Sequence, residues 1–258
     1  MVGFSYIRSI AVHLKNCMKE RTKENIHKIY NWQFLNAIRL WFAAIGAYPD
    51  KDDLGRLAHP LIEVTLGILK FYPNIKYSPF RLHLIDALND FGRKSGLYVP
   101  VTSFLFEMLG EFSFKKKRDK TSTRQFDFTI NVRAGKQILK SQIFYEQLFK
   151  KIINELIEIY SNITNFLCFP ESLVTPRLFL KKILKDMRAA EPKLQLKRLI
   201  QLLDENEQDF KKAREKMELM GTSTGISAFT KDFDKSKCEM IFLIKIFPYR
   251  NLEKTQYK

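Results

Sequence analysis

Apolar residues recur at the three- and four-residue spacing of an α-helix along almost the whole chain of 258 residues. Proline suits the first turn of a helix, where its missing N–H costs nothing. The first three prolines that introduce an apolar helical pattern are 19 and 21 residues apart, so two such units span about 40 residues, the period of HEAT and armadillo-type repeats. The pattern predicts an all-α helical-repeat stack. The units are "HPLIEVTLGILKFY" at Pro60, "SPFRLHLIDALNDF" at Pro79, "VPVTSFLFEML" at Pro100 and, later, "TPRLFLKKILKDM" at Pro176.

The segment "YNWQFLNAIRLWFAAIGAYP" at 30–49 is the richest in aromatic residues. Its longest apolar run, 40–48, is far shorter than the roughly 18–20 residues that cross a membrane. The sequence predicts a helix over 5–19 and a longer one over 24–46, and the wide apolar stripe of the second favours burial on both flanks. Base stacking by Trp32 or Trp41 is the weaker alternative, because the basic residues lie elsewhere. The stripe consists of Ile26, Tyr30, Phe34, Ile38, Trp41 and Ile45, widened by Leu35, Leu40, Phe42 and Ala43.

Positive charge is concentrated in the middle of the chain. The whole sequence has a net charge of +16, and residues 111–154 alone have 11 basic and 4 acidic side chains, a net charge of +7. Such a protein attracts polyanions, of which nucleic acid is the usual one. The alternatives are a merely solvated basic surface and, for the loop, docking on an acidic surface of a partner protein. Lysine clusters act as point charges, so we expect phosphate contacts that are independent of base sequence. The candidates are Lys115, Lys116, Lys117, Arg118, Lys120 and Arg124 in an exposed loop at 111–124, and Arg177, Lys181, Lys185 and Arg188 on one helix face.

Residues that could support catalysis are sparse. His13 and Cys17 lie four residues apart, but no second pair at zinc spacing completes a metal site. His83 with Asp86 favours an ion-pair or capping role over acid–base chemistry, and "GTSTG" at 221–225 lacks the Gly-Lys-Ser/Thr ending of a phosphate loop. The sequence therefore predicts a non-enzyme without catalytic residues, metal, cofactor or small-molecule substrate. Three widely spaced cysteines indicate a reducing compartment.

The domain organisation follows from the same patterns. We expect a helical-repeat domain over 1–205, with halves 1–110 and 125–205 joined by the basic loop. A C-terminal helix and a divergent tail follow at 206–258. The alternating "FDFTI" at 126–130 is typical of a short extended segment, but no partner strand is evident.

The chain resembles the nucleolar complex protein 2 family over most of residues 6–190. The resemblance weakens beyond residue 205, and Met1 nearly abuts the first motif, where the family has a long charged region. A partial or divergent chain is therefore expected. The matching stretches, in family order, are "YIRSIAVHLK" at 6–15, "IYNWQFLNAIRLW" at 29–41, "HPLIEVTLGILKFYPNIKYSPFRLHLIDAL" at 59–88, "GLYVPVTSFLFEML" at 96–109, "FDFTINV" at 126–132 and "FPESLVTPR" at 169–177.

The resemblance implies a non-catalytic scaffold of the nucleus, found in nucleolus and nucleoplasm. Family members are expected to pair with the first or third nucleolar complex protein. They accompany precursors of the large (60S) ribosomal subunit, including their rRNA, from nucleolus to nucleoplasm, with no membrane contact. The resemblance also leaves an alternative function: a chromatin or transcription co-regulator that binds histones or transcription factors.

Overall fold

Helices account for all the regular structure in the part of the chain that the structure describes. The computed structural model describes residues 2–48, 52–111, 125–164, 166, 168–187 and 190–215. The all-α prediction is confirmed over these residues, and 128–130 forms a turn within the segment whose alternation suggested a strand. None of the described helices combines the length and apolarity needed to cross a membrane. The helices are α1 Val2–Lys19, α2 Lys23–Ile29, α3 Trp32–Ala47, α4 Asp52–Gly55, α5 Ala58–Phe71, α6 Ser78–Ser95, α7 Thr102–Gly110, α8 Gln142–Ile163, α9 Phe169–Ser172, α10 Val174–Asp186 and α11 Ala190–Glu215, with 3₁₀ turns at Ile75–Tyr77 and Ile138–Lys140.

Two compact units divide the chain, Met1–Glu155 and Leu156–Lys258, with the boundary inside α8. In the first unit α1 packs on α2 and α5, while α3 packs on α5 and α6. In the second unit α9, α10 and α11 pack on one another. Residues 125–155 group with the first unit. The division into halves 1–110 and 125–205 stays a prediction of the sequence, as does the tail from residue 216, which lies outside the described residues.

Three of the four prolines begin helices as predicted. Pro60, Pro79 and Pro176 lie in the first turns of α5, α6 and α10, where no intrahelical N–H bond is lost. Pro100 instead precedes α7, which begins at Thr102.

The predicted helix over 24–46 is wrong at Asn31, where it divides into α2 and α3. The Asn31 Oδ1 accepts a hydrogen bond from the Phe34 amide at 2.8 Å and so caps α3. Its Nδ2 donates to the carbonyl oxygens of His27 and Lys28 at the end of α2, at 3.2 and 2.8 Å. One amide thus satisfies backbone groups on both helix ends, which an apolar pattern does not reveal.

Only one face of α3 is buried, so the expectation of burial on both flanks is wrong. Leu35, Ile38, Phe42 and Ile45 form the buried face, whereas Leu40 is 69% exposed. Ala43 is exposed as well, and Phe34 and Trp41 are half-buried. Since α3 packs against α5 and α6, its remaining side faces outward.

Tyr30 ties the ends of α2 and α5 together. Its hydroxyl donates to the Ile68 carbonyl at 3.1 Å and accepts from the Tyr72 amide at 3.2 Å. Its ring lies 4.6 Å from Tyr77 and 4.7 Å from Phe80, at the start of α6. Burial raises the pKa of Tyr30, so the hydroxyl stays protonated and keeps its donor.

The segment 126–134 is anchored to the first unit by hydrogen bonds and aromatic packing. The Trp32 indole N–H donates to the Ile130 carbonyl at 3.2 Å, and the Ala134 amide donates to the Lys76 carbonyl at 2.8 Å. The side chains of Phe126 and Phe128 are buried beside Phe144, with ring centroids 5.2 and 5.6 Å away. The stretch "FDFTINV" at 126–132 is therefore a packed segment of the first unit.

His83 lies half-buried on α6 beside this segment. Its ring centroid is 5.1 Å from that of Trp32, and its Nδ1 is 3.3 Å from the Arg39 guanidinium. Burial, followed by the positive charge of Arg39 and a smaller effect of Lys151, lowers the pKa of His83 to about 4.

We expect His83 to make the folded state sensitive to acid. Between about pH 6.5 and pH 4 the imidazole of residue 83 is protonated in the unfolded chain but neutral in the folded protein. The free energy of unfolding therefore decreases as pH falls through this window. The loss is about 2–3 kcal/mol and is complete below about pH 4. Urea unfolding of wild type and His83→Phe at pH 7.5 and pH 5 measures it. The exposed His59, replaced by Phe, is the matched control, and an equal pH dependence in all three proteins would contradict the assignment.

Candidate nucleic-acid interface

All six of the predicted loop candidates lie outside the described part of the chain. Phosphate contact by these residues and by one member of the helix stripe stays a prediction. The residues that lie outside the described part of the chain are Lys115, Lys116, Lys117, Arg118, Lys120, Arg124 and Arg188.

Arg177 is bound to acidic side chains of α11 in the second unit. Its Nε lies 2.7 Å from the Asp204 carboxylate, and its Nη2 pairs with Glu207. Glu207 is buried and is also paired with Lys211 at 2.6 Å. The Arg177 charge is therefore neutralised within the protein and links α10 to α11.

Sequence reasoning missed Asp204 and Glu207 as partners of Arg177. A signal was present, because Glu207 lies in the apolar series of α11 between the buried Leu203 and Phe210. An acidic residue at a core position needs a cationic partner on the facing helix. That this cationic partner is Arg177 follows only from the packing of α10 against α11.

Lys181 and Lys185 remain available on the outer side of α10. Both are exposed, and within the described residues neither forms an ion pair. Val174 and Leu178 share this side of the helix, and Leu178 is 66% exposed. This side of α10 is thus apolar in its N-terminal half and basic in its C-terminal half. Its two lysines can pair with phosphate oxygens but do not distinguish one base from another.

Both tryptophans are engaged in packing. Trp32 contacts His83 and donates to the Ile130 carbonyl, and Trp41 lies 6.2 Å from Tyr6. A Cβ atom at Gly3 would lie 3.3 Å from the Trp41 ring, so α1 approaches this indole closely. These contacts favour the packing interpretation over base stacking.

The polar pairs singled out in the sequence also have packing roles. The predicted pairing of His83 with Asp86 is wrong, because the Asp86 carboxylate lies 3.5 Å from Arg39, whose guanidinium also contacts His83 Nδ1 at 3.3 Å. The His13 ring lies 5.8 Å from that of Phe34, and Cys17 is buried.

Comparison with known proteins identifies the family. The model of the Noc2p family matches residues 1–244, which extends past residue 205. Nucleolar complex protein 2 of Drosophila melanogaster is 30% identical over 203 residues, which cover 79% of this chain and 26% of the relative. Nucleolar complex-associated protein 2 of Arabidopsis thaliana is 25% identical over 234 residues, covering 91% of this chain and 31% of the relative.

The nucleolar complex protein 2 homolog of Caenorhabditis elegans is 25% identical over 194 residues, which cover 72% of this chain and 27% of the relative. The chain spans about a quarter to a third of the length of these curated relatives. Because the family match covers nearly all of the sequence, the chain belongs to the Noc2p family.

Proposed function

We propose that this chain acts in a non-catalytic nucleolar scaffold that assembles the precursor of the large (60S) ribosomal subunit. The scaffold works as a heterodimer with another nucleolar complex protein and accompanies the particle from nucleolus to nucleoplasm. The observation that carries the proposal is the family match over residues 1–244, together with the nucleolar complex names of the relatives. The proposal rests on membership of the family and not on a reactive site.

Helix packing in the first unit supports a HEAT- or armadillo-like arrangement. Among its long helices α1, α3, α5 and α6, α1 contacts α5 and α3 contacts α6, while α5 also contacts both α3 and α6. Alternate helices therefore lie side by side, as in a stack of helical hairpins with two layers. A stack of this kind presents extended surfaces to partners, which suits a scaffold.

For contact with rRNA we propose the exposed Lys181 and Lys185 on α10, acting together with the basic loop at 115–120. Their exposure and lack of acidic partners among the described residues support this role. Arg177 contributes differently, because its ion pairs hold α10 to α11 and so position the two lysines.

Depletion of the protein tests the assembly role. We expect a lower ratio of large to small ribosomal subunits in a sucrose gradient, and recovery of pre-ribosomal RNA with the affinity-purified protein. Re-expression of the protein should restore the ratio. An unchanged ratio accompanied by altered histone acetylation would contradict the proposal and favour the co-regulator function.

The α10 lysines are tested by RNA affinity measured across salt concentrations. The double variant Lys181→Ala with Lys185→Ala should bind RNA more weakly for all sequences. On single strands the slope of log affinity against log salt should decrease in magnitude by about 0.7 for each phosphate that the variant no longer neutralises. The free energy of unfolding should change by no more than about 0.5 kcal/mol, since both side chains are exposed. Lys70→Ala with Lys140→Ala is the matched control, and equal effects of the two double variants would overturn the assignment.

A further inference from the structure

Only a narrow side of α1 takes part in packing. Ile7, Leu14 and Cys17 are its buried side chains; α1 packs on α2 and α5, and its Tyr6 and His13 also contact α3. The fit against α5 is close, since a Cβ atom at Gly67 would lie 3.3 Å from the Leu14 side chain. Most of the surface of the helix is therefore left uncovered by the described residues.

Apolar and cationic side chains share the uncovered side. Phe4, Val12 and Met18 are 54%, 47% and 44% exposed. At 100° per residue they fall in one arc of about 120° together with three exposed cations. We call this arc the outer face of α1; it comprises Phe4, Arg8, Val12, Lys15, Met18 and Lys19.

The positive charge of the outer face is unmatched. No acidic residue occurs in Val2–Lys19, and none of the three cations forms an ion pair among the described residues. By contrast, Arg39, Arg81 and Arg93 on α3 and α6 each pair with a carboxylate. A surface that combines exposed apolar side chains with unpaired charges of one sign is typical of an interaction site.

We propose that the outer face of α1 docks an acidic amphipathic helix of a partner protein. The apolar side chains of that helix cover Phe4, Val12 and Met18, while its Asp and Glu side chains pair with the three cations that lie among them. The inference rests on the geometry of α1 and is independent of the ribosomal role.

The arrangement fits a protein helix better than RNA or a membrane. RNA phosphates would neutralise the cations but leave the apolar side chains uncovered, and Tyr6 lies about 160° around the helix from Phe4, so the two rings form no stacking platform. A helix that lies on a membrane separates its charged face from its apolar face. On α1 the two kinds of side chain occupy the same arc.

Photo-crosslinking in cells that normally make the protein tests the proposal. The photoreactive amino acid p-benzoylphenylalanine replaces Val12 in the full protein, and a matched protein has it at the exposed Asn36 of α3. We expect an adduct from position 12 only, and peptide sequencing should identify a segment of another protein with acidic residues beside a helical apolar stripe. Nucleotide or lipid adducts, adducts with a second copy of this chain, or equal yields at both positions overturn the proposal.

Charge reversal separates docking from general electrostatic attraction. Arg8→Glu, Lys15→Glu and Lys19→Glu together should lower the adduct yield about tenfold, because each carboxylate then faces an acidic partner. Three exposed lysines elsewhere in the first unit provide the control with the same change in net charge, Lys70→Glu, Lys136→Glu and Lys140→Glu. Circular dichroism verifies that both variants keep their helix content. A reduction in yield that is equal in the two variants overturns the proposal.

Discussion

The Tyr30 hydroxyl is the contact on which the packing of the first unit depends most. It accepts from the Tyr72 amide and donates to the Ile68 carbonyl, so it satisfies backbone groups where α5 ends. Buried backbone groups without a partner cost about 1–3 kcal/mol each. Because Tyr30 itself ends α2, and its ring packs on Tyr77 and Phe80, one side chain fixes the relative positions of α2, α5 and α6.

Each unit also contains a buried charge that links two helices. In the first unit Arg81 of α6 is fully buried, and its Nη2 lies 2.5 Å from the Glu107 carboxylate of α7. In the second unit the buried Glu207 of α11 binds Arg177 of α10. Such pairs add little net stability compared with apolar packing, but breaking one leaves a buried charge uncompensated. They therefore restrict which helix faces can meet.

Periodicity and proline positions predicted the helices well, since both report on the local backbone. They failed at Asn31, because the spacing of apolar residues continues unchanged across the cap that ends α2 and begins α3. They also failed for Leu40, whose exposure depends on where the neighbouring helices lie. Spacing placed Arg177 on a basic stripe, yet the carboxylates that bind it belong to α11, about 30 residues later in the chain.

Hydrogen exchange of a Tyr30→Phe variant tests the role of the Tyr30 hydroxyl most directly. The ring is kept while the hydrogen bonds of the hydroxyl are removed, so we expect faster exchange of the Tyr72 amide and a free energy of unfolding lower by about 1–3 kcal/mol. Tyr6→Phe is the control, since its side chain is 58% exposed and the same atom is removed. Unchanged protection of the Tyr72 amide, with equal stability of the two variants, would contradict the claim that Tyr30 fixes this junction.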